Sequence, residues 1–180
     1  VDSRISRNPE RLLEFILEHQ DVIIKPLDGM GGQSIFRVKA GDTNTNVILE
    51  TVTRRGTSQT MVQRYIPEIT DGDKRILMIN GEPVPYALAR IPAKGENRGN
   101  IAAGASTRGQ PLSQRDHWLC QQIGPKLREK GLIFVGLDVI GDYVTEINVT
   151  SPTCIRELDS QFNLNISADL FNCVEQVISA

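Results

Sequence analysis

The sequence predicts an α+β fold. Two apolar, β-branched runs, each broken by a tight turn, read as antiparallel hairpins: "KRILMIN" with "EPVPYALARI" around Gly81, and "LIFVGLDVIG" with "YVTEINV". Helical patterns are scattered among these hairpins and do not alternate with every strand, which argues against a doubly wound parallel sheet. A chain of 180 residues can hold one domain or two small lobes that share a site.

Taken in order, residues 6–20 predict an amphipathic helix, with Asn8 as its cap, Pro9 at its first position and Leu12, Leu13, Ile16 and Leu17 as its apolar stripe. "DVIIKPL" and "SIFRV" are short strands, residues 43–53 a second helix, and "TMVQRYI" a strand. The turn-rich "PEITDGD" marks a boundary between a lobe at 1–66 and a lobe at 67–180. After the first hairpin, residues 92–109 carry four glycines and little apolar periodicity, and are expected to form a mobile loop. "SQRDHWLCQQIGPKLREKG" is a helix capped by Ser113 and stopped near Gly131. The second hairpin follows, and "ISADLFNCVEQVISA" closes the chain as a helix. No internal repeat or low-complexity segment occurs.

Composition narrows the function. A net charge of −2 gives no long-range attraction to nucleic acid or anionic membrane. No apolar run approaches the ~20 residues of a membrane span. The first residues lack a signal-peptide core and there is no initiator Met, so the chain reads as a piece of a longer one. Three widely spaced cysteines, Cys120, Cys154 and Cys173, argue against a disulfide framework and for a reducing compartment, the cytoplasm.

Two constellations carry chemistry. In "KPLDGMGG", Lys25 precedes Gly29, Gly31 and Gly32 and a strand follows them, the reverse of the order in a P-loop; the G-x-G-x-x-G fingerprint is also missing. The glycines therefore read as a hairpin tip, where backbone N–H groups can approach an anion closely, and Lys25 adds a point charge. A simple turn is the alternative. The second constellation is Asp138 on one strand with Glu146 and Asn148, two apart, on the next. Three oxygen donors suit Mg²⁺ held against nucleotide phosphates, while the alternative is a solvated hairpin face. A two-residue turn at Gly141 and Asp142 would set Asp138 opposite Thr145; convergence of the trio requires an odd-numbered loop or a bulge. Elsewhere His19 is expected to be solvated, Trp118 and Phe134 to lie in the core, and Cys154 to be a small buried thiol. Ser113, Asp116 and His117 do not read as a catalytic triad, because Ser113 serves as the cap.

The order of Lys25 and its glycines, "VQRYI", "DGDKR", "ALAR" and "TEINVTSPTC" resembles the ATP-grasp superfamily. Within it, "DGDKRIL", "GEPVPYALARIP", "RGNIAAG" and "GLIFVGLDVIGDYVTEINVTSPTCIRE" are similar to the bacterial glutathione synthetase family. The resemblance implies an ATP-grasp fold, two α+β lobes that sandwich the nucleotide. It implies a ligase that joins γ-glutamylcysteine to glycine through an acyl phosphate, with ATP and Mg²⁺ (Mn²⁺ as the alternative ion). Ligation of another amino acid, and nucleotide binding without catalysis, remain as competing readings.

The implied roles follow residue by residue. Lys25, Gly29, Gly31 and Gly32 contact ATP phosphates. Gln63, Arg64, Tyr65 and Ile66 form the adenine linker, and Asp73 takes the ribose hydroxyls. Arg75 and Arg90 meet the transferring phosphoryl group, with Arg98 and Asn100 on the closing loop. Asp138, Glu146 and Asn148 hold the metal, and Ser151, Pro152, Thr153 and Arg156 receive the glycine end. The family's further domain, which precedes this region and builds the dipeptide site, is not in the sequence, so the isolated chain is expected to bind Mg-ATP without turnover. The complete enzyme is expected to be a homo-oligomer.

Overall fold

In the computed structural model, described for residues 1–28, 31–96, 98–99 and 104–179, two antiparallel sheets organise the chain. Contacts group Val1–Pro67 with Pro92–Gly104 as one unit, and Glu68–Ile91 with Ala105–Ala180 as the other. Residues 92–104 group with the first unit, not with the second as the sequence suggested.

The first sheet runs in the order β1-β4-β2-β3, from β1 (Ser3–Ser6), β2 (Asp21–Pro26), β3 (Phe36–Lys39) and β4 (Thr60–Arg64). Val22 and Ile24, two apart on β2, point to one face and meet Val38, Val62 and the helices α1 (Pro9–His19) and α2 (Thr45–Val52). Asn8 caps α1 as expected, its side chain accepting from the N–H groups of Glu10 and Arg11 at 2.8 and 3.4 Å. The buried stripe is Leu12, Phe15 and Ile16, whereas Leu17 is exposed, because the stripe is centred one position earlier than the leucines suggest. That phase also sets the half-buried His19 ring against Phe15, with centroids 4.1 Å apart and the planes tilted by 39°, so it is less solvated than expected. β1 was not foreseen: "SRIS" is a short edge strand held by backbone pairing to β4, with no apolar alternation to announce it.

The second sheet runs β7-β6-β5-β8-β9, from β5 (Asp73–Ile79), β6 (Glu82–Ile91), β7 (Ser106–Pro111), β8 (Phe134–Ile140) and β9 (Tyr143–Asn148). Its central strands are covered on both faces. Ile76, Met78, Leu137 and Val139 pack on α3 (Gln114–Glu129), while Leu77 and Leu88 pack on α4 (Ile155–Phe162) and α5 (Ile166–Ser179) through Leu158 and Ile166. Truncating a buried leucine such as Leu158 to alanine costs about 2–5 kcal/mol. Ser113 and Asp116 form a reciprocal capping box at the start of α3. The β5–β6 turn lies so close to α3 that a Cβ on Gly124 would overlap the Gly81 carbonyl oxygen.

Two further expectations are corrected. Residues 106–109 belong to β7, paired along β6 from Tyr86↔Pro111 to Ile91↔Ser106, so the expected 92–109 loop is shorter at its end. Trp118 is 47% exposed rather than in the core, its ring covered by the Arg115 guanidinium at 4.2 Å.

Candidate active site

The face of the second sheet that carries Leu77 and Leu88 becomes charged toward one end. Side chains of directly paired residues share a face, as do residues two apart on a strand. Asp73 pairs with Arg90, Arg75 with Asp138, Asp138 with Glu146, and Gly136 with Asn148. Four strands therefore bring Arg90, Asp73, Arg75, Asp138, Glu146 and Asn148 to one surface.

Asp138, Glu146 and Asn148 share this face because of a bulge. From the Gly141–Asp142 turn the ladder runs Ile140↔Tyr143 and Val139↔Val144, then shifts to Asp138↔Glu146. Thr145 is the extra residue, and its hydroxyl donates to the Asp138 carbonyl oxygen at 3.2 Å. Asp138 is buried and Glu146 exposed.

The buried end is an ion network. Arg75 holds Asp138 bidentately, with Nε to Oδ1 at 2.5 Å and Nη2 to Oδ2 at 3.0 Å. Arg90 Nη2 reaches both Asp138 Oδ2 at 2.9 Å and Asp73 Oδ2 at 2.5 Å. Asn148 donates to Asp138 Oδ2 at 3.3 Å. Burial, reinforced by the Asp138 charge, pushes the Asp73 carboxyl up to about 7 against the pull of Arg90 and Arg75. Burial alone would weaken the Arg90 charge, but Asp73 and Asp138 outweigh it and raise the guanidinium's pKa. Asp73 Oδ1 is buried and has no hydrogen-bond partner among the described residues. An unsatisfied carboxylate oxygen is costly, so a hydroxyl donor from a bound group fits there.

The segment after β9 packs back onto this face. Pro152 lies over Gly136, where a Cβ would stand 2.7 Å from the Pro152 Cβ and 2.9 Å from the Arg75 Cδ. Ser151, Thr153 and Arg156 are exposed. Cys154 is buried at the start of α4 with φ of 91°, and burial raises its thiol pKa.

In the first unit, Lys25 lies on β2 opposite Met61, and Gly31 and Gly32 adopt φ of +63° and +76° in the β2–β3 connection. Arg98 Nη1 donates to the Gly32 carbonyl at 3.3 Å and Nη2 pairs with Glu96 at 2.6 Å. Gln63 and Ile66 are buried, Arg64 pairs with Asp2 at 3.2 Å, and the Tyr65 N–H donates to the Asp21 carbonyl. The Arg37 guanidinium lies 3.5 Å from the centroid of the Tyr65 ring and is held bidentately by Asp21 at 2.9 and 2.7 Å. This clamp was missed: Asp21 and Arg37 flank no motif, and only the β2–β3 pairing joins them. Gly29 and Asn100 lie outside the described residues.

Among the described residues no three His, Cys, Asp or Glu side chains gather as a metal site, and no helix is long and apolar enough to cross a membrane. All three cysteines are free and buried.

Comparison with known proteins adds family evidence. The family model described as prokaryotic glutathione synthetase, ATP-grasp domain, matches residues 1–163. The chain is 62% identical over 176 residues to the glutathione synthetase of Pseudomonas aeruginosa, covering 98% of this chain and 56% of that protein. It is 59% identical over 171 residues to that of Xanthomonas campestris pv. campestris, covering 95% and 54%. The chain thus spans about half the length of the curated relatives it matches. The ATP-grasp ligase PsnB, solved with a minimal precursor, Mg and ADP, shares the fold at a TM-score of 0.65 and 19% identity, covering 98% of this chain and 52% of that one.

Proposed function

The chain belongs to the prokaryotic glutathione synthetase ATP-grasp family, and we propose that it is the nucleotide-handling part of a cytoplasmic ligase that forms glutathione from γ-glutamylcysteine and glycine with ATP. The observation that carries this reading is the buried network of Arg75, Arg90, Asp73 and Asp138, on the same face as Glu146 and Asn148.

The overall reaction balances in two steps. A carboxylate oxygen of the dipeptide bonds to the γ-phosphorus of ATP while ADP leaves. The glycine amine then bonds to the acyl carbon, loses a proton, and inorganic phosphate departs. Both reactants of the first step are anionic, so fixed cations have to offset their repulsion. Arg75 and Arg90 supply that charge from buried, preorganised positions. Asp73 offers its Oδ1, which has no partner among the described residues, to a ribose hydroxyl.

Asp138, Glu146 and Asn148 present hard oxygen donors on one face, which fits Mg²⁺ or Mn²⁺. Asp138 can serve although it accepts from Arg75 and Arg90, because a carboxylate has about four lone-pair sites. When bound, the ion neutralises phosphate charge. Lys25, Gly29, Gly31 and Gly32 are assigned to nucleotide phosphates, and the segment from Gln63 to Ile66 to adenine. Arg98 and Asn100 are assigned to closure over the reacting groups, and Ser151, Pro152, Thr153 and Arg156 to the glycine end. The full-length protein is assigned as a homo-oligomer with no nucleic-acid partner.

The test is ADP release by the full-length protein. Release should require both γ-glutamylcysteine and glycine and should match glutathione formed one to one. Equal turnover with D-alanine or glutamate in place of glycine would reject the glutathione assignment and favour a ligase for another amino acid.

A further inference from the structure

Among the described residues, Asp73 has one oxygen without a partner and one that is committed. Its Oδ2 lies 2.5 Å from Arg90 Nη2, and its main-chain carbonyl accepts from Arg90 Nε at 3.3 Å. The two residues are direct cross-strand partners on β5 and β6, so the backbone ladder fixes their separation. Arg90 Nη2 also meets Asp138 Oδ2 at 2.9 Å. Two of the three guanidinium nitrogens are thereby held, while Nη1 makes no hydrogen bond among the described residues. Arg90 is 3% exposed, so solvent does little to orient it. Asp138 alone would hold one nitrogen and leave the guanidinium plane free to swing about that contact; Asp73 adds two further contacts along the Nε–Nη2 edge.

We propose that Asp73 is a positioning residue for Arg90: it clamps the Nε–Nη2 edge of the guanidinium so that Nη1 is presented to the transferring phosphoryl group. This rests on the ligase reading above and deepens it. It assigns Asp73 a role in the rate of chemistry besides any contact with the nucleotide. A residue that only binds ribose affects ATP affinity; a residue that orients the transition-state cation affects kcat.

The experiment is a double-mutant cycle in the full-length protein with D73N, D73A, R90A and D73A/R90A, reading kcat, the KM for ATP and the KM for 2′-deoxyATP. D73N keeps the side-chain shape, so it carries the test if D73A fails to fold; circular dichroism melts report which variants are folded. Losing one clamp should lower kcat on the order of tenfold to a hundredfold, the scale of loss that small misplacements cause. The KM for ATP should rise by no more than the parent's own discrimination against 2′-deoxyATP, the share that belongs to the ribose contact. In the R90A background, D73A should cause no further loss in kcat. For D73N alone, if D73A does not fold, the expected result is the kcat loss, with any rise in KM within that discrimination. Full kcat in a folded D73N, or an equal loss from D73A with and without Arg90, would overturn the positioning role. So would an ATP KM raised to match the parent's discrimination against 2′-deoxyATP with kcat unchanged, which would leave Asp73 as a ribose ligand only. A parent protein that forms no glutathione would instead overturn the assigned reaction, and the positioning role with it.

Discussion

Asp138 lies directly across from Glu146 because Thr145 is bulged out of the β8–β9 ladder. The pair shares a face but not an environment. Asp138 is 3% exposed and takes charge from two arginines, whereas Glu146 is exposed. Substitutions at the two carboxylates should therefore separate. Asp138→Asn leaves two buried guanidinium groups under-compensated and should cost about 3–5 kcal/mol of stability, the scale of a broken buried pair. Glu146→Gln should leave stability nearly unchanged while raising the Mg²⁺ needed for half-maximal activity. Urea melts and Mg²⁺ titrations check both; equal destabilisation by the two variants would contradict the difference in environment.

Arg90→Ala in the full-length protein should lower kcat on the order of a hundredfold to a thousandfold with a much smaller change in the KM for ATP. Steady-state kinetics decides this. A near-normal kcat with a raised ATP KM would make Arg90 a binding residue only.

The opposite face of the second sheet carries a different buried pair. Lys74 Nζ meets Asp116 Oδ1 at 2.5 Å, and Asp116 is 0% exposed. Burial pushes the Asp116 carboxyl up, but bonds from Lys74 and Ser113 outweigh it and hold it below the ordinary value of 3.8. A carboxylate with a depressed folded pKa gives stability that is present above its unfolded pKa and lost as pH falls through the folded one. Asp116→Asn should therefore lower stability near neutral pH and flatten the stability curve below about pH 4, the unfolded range for Asp. Denaturation midpoints against pH measure it; an unchanged acid slope would show that other carboxylates set it.

The Arg37–Tyr65 contact should matter to nucleotide binding. Arg37→Met removes the cation over the ring and the bidentate bond that holds Asp21's carboxyl below its ordinary value. The lost contact is worth about 0.5–2 kcal/mol, so the Kd for ATP should rise severalfold while the KM for glycine stays level. A glycine effect of the same size would place Tyr65 elsewhere in the reaction.

Much of this architecture was legible in local signals. Asn8 with Pro9, and Ser113 with Asp116, announce their helices because capping depends on neighbours in sequence. Gly141 and Asp142 announce a two-residue turn, and convergence of Asp138, Glu146 and Asn148 then demands an odd-numbered loop or a bulge; the structure keeps the two-residue turn and has the bulge at Thr145. What stayed hidden depends on distant pairing. Arg75 and Asp138 are 63 positions apart, and nothing local to either marks the bond. β7 is held mainly by β6, so the glycine-rich stretch around it reads as loop. Phe15 and Leu17 are equally apolar, and only packing decides which one the core takes.

The chemistry is tested most directly by following oxygen. γ-Glutamylcysteine labelled with ¹⁸O in its cysteinyl carboxylate is incubated with the full-length protein, ATP, Mg²⁺ and glycine, and the released phosphate is analysed by mass spectrometry. Attack of the carboxylate on the γ-phosphorus transfers one labelled oxygen to inorganic phosphate for each glutathione formed, with ADP as the other product. Unlabelled phosphate, or label in AMP with pyrophosphate released, would contradict phosphoryl transfer at the Arg75–Arg90 face.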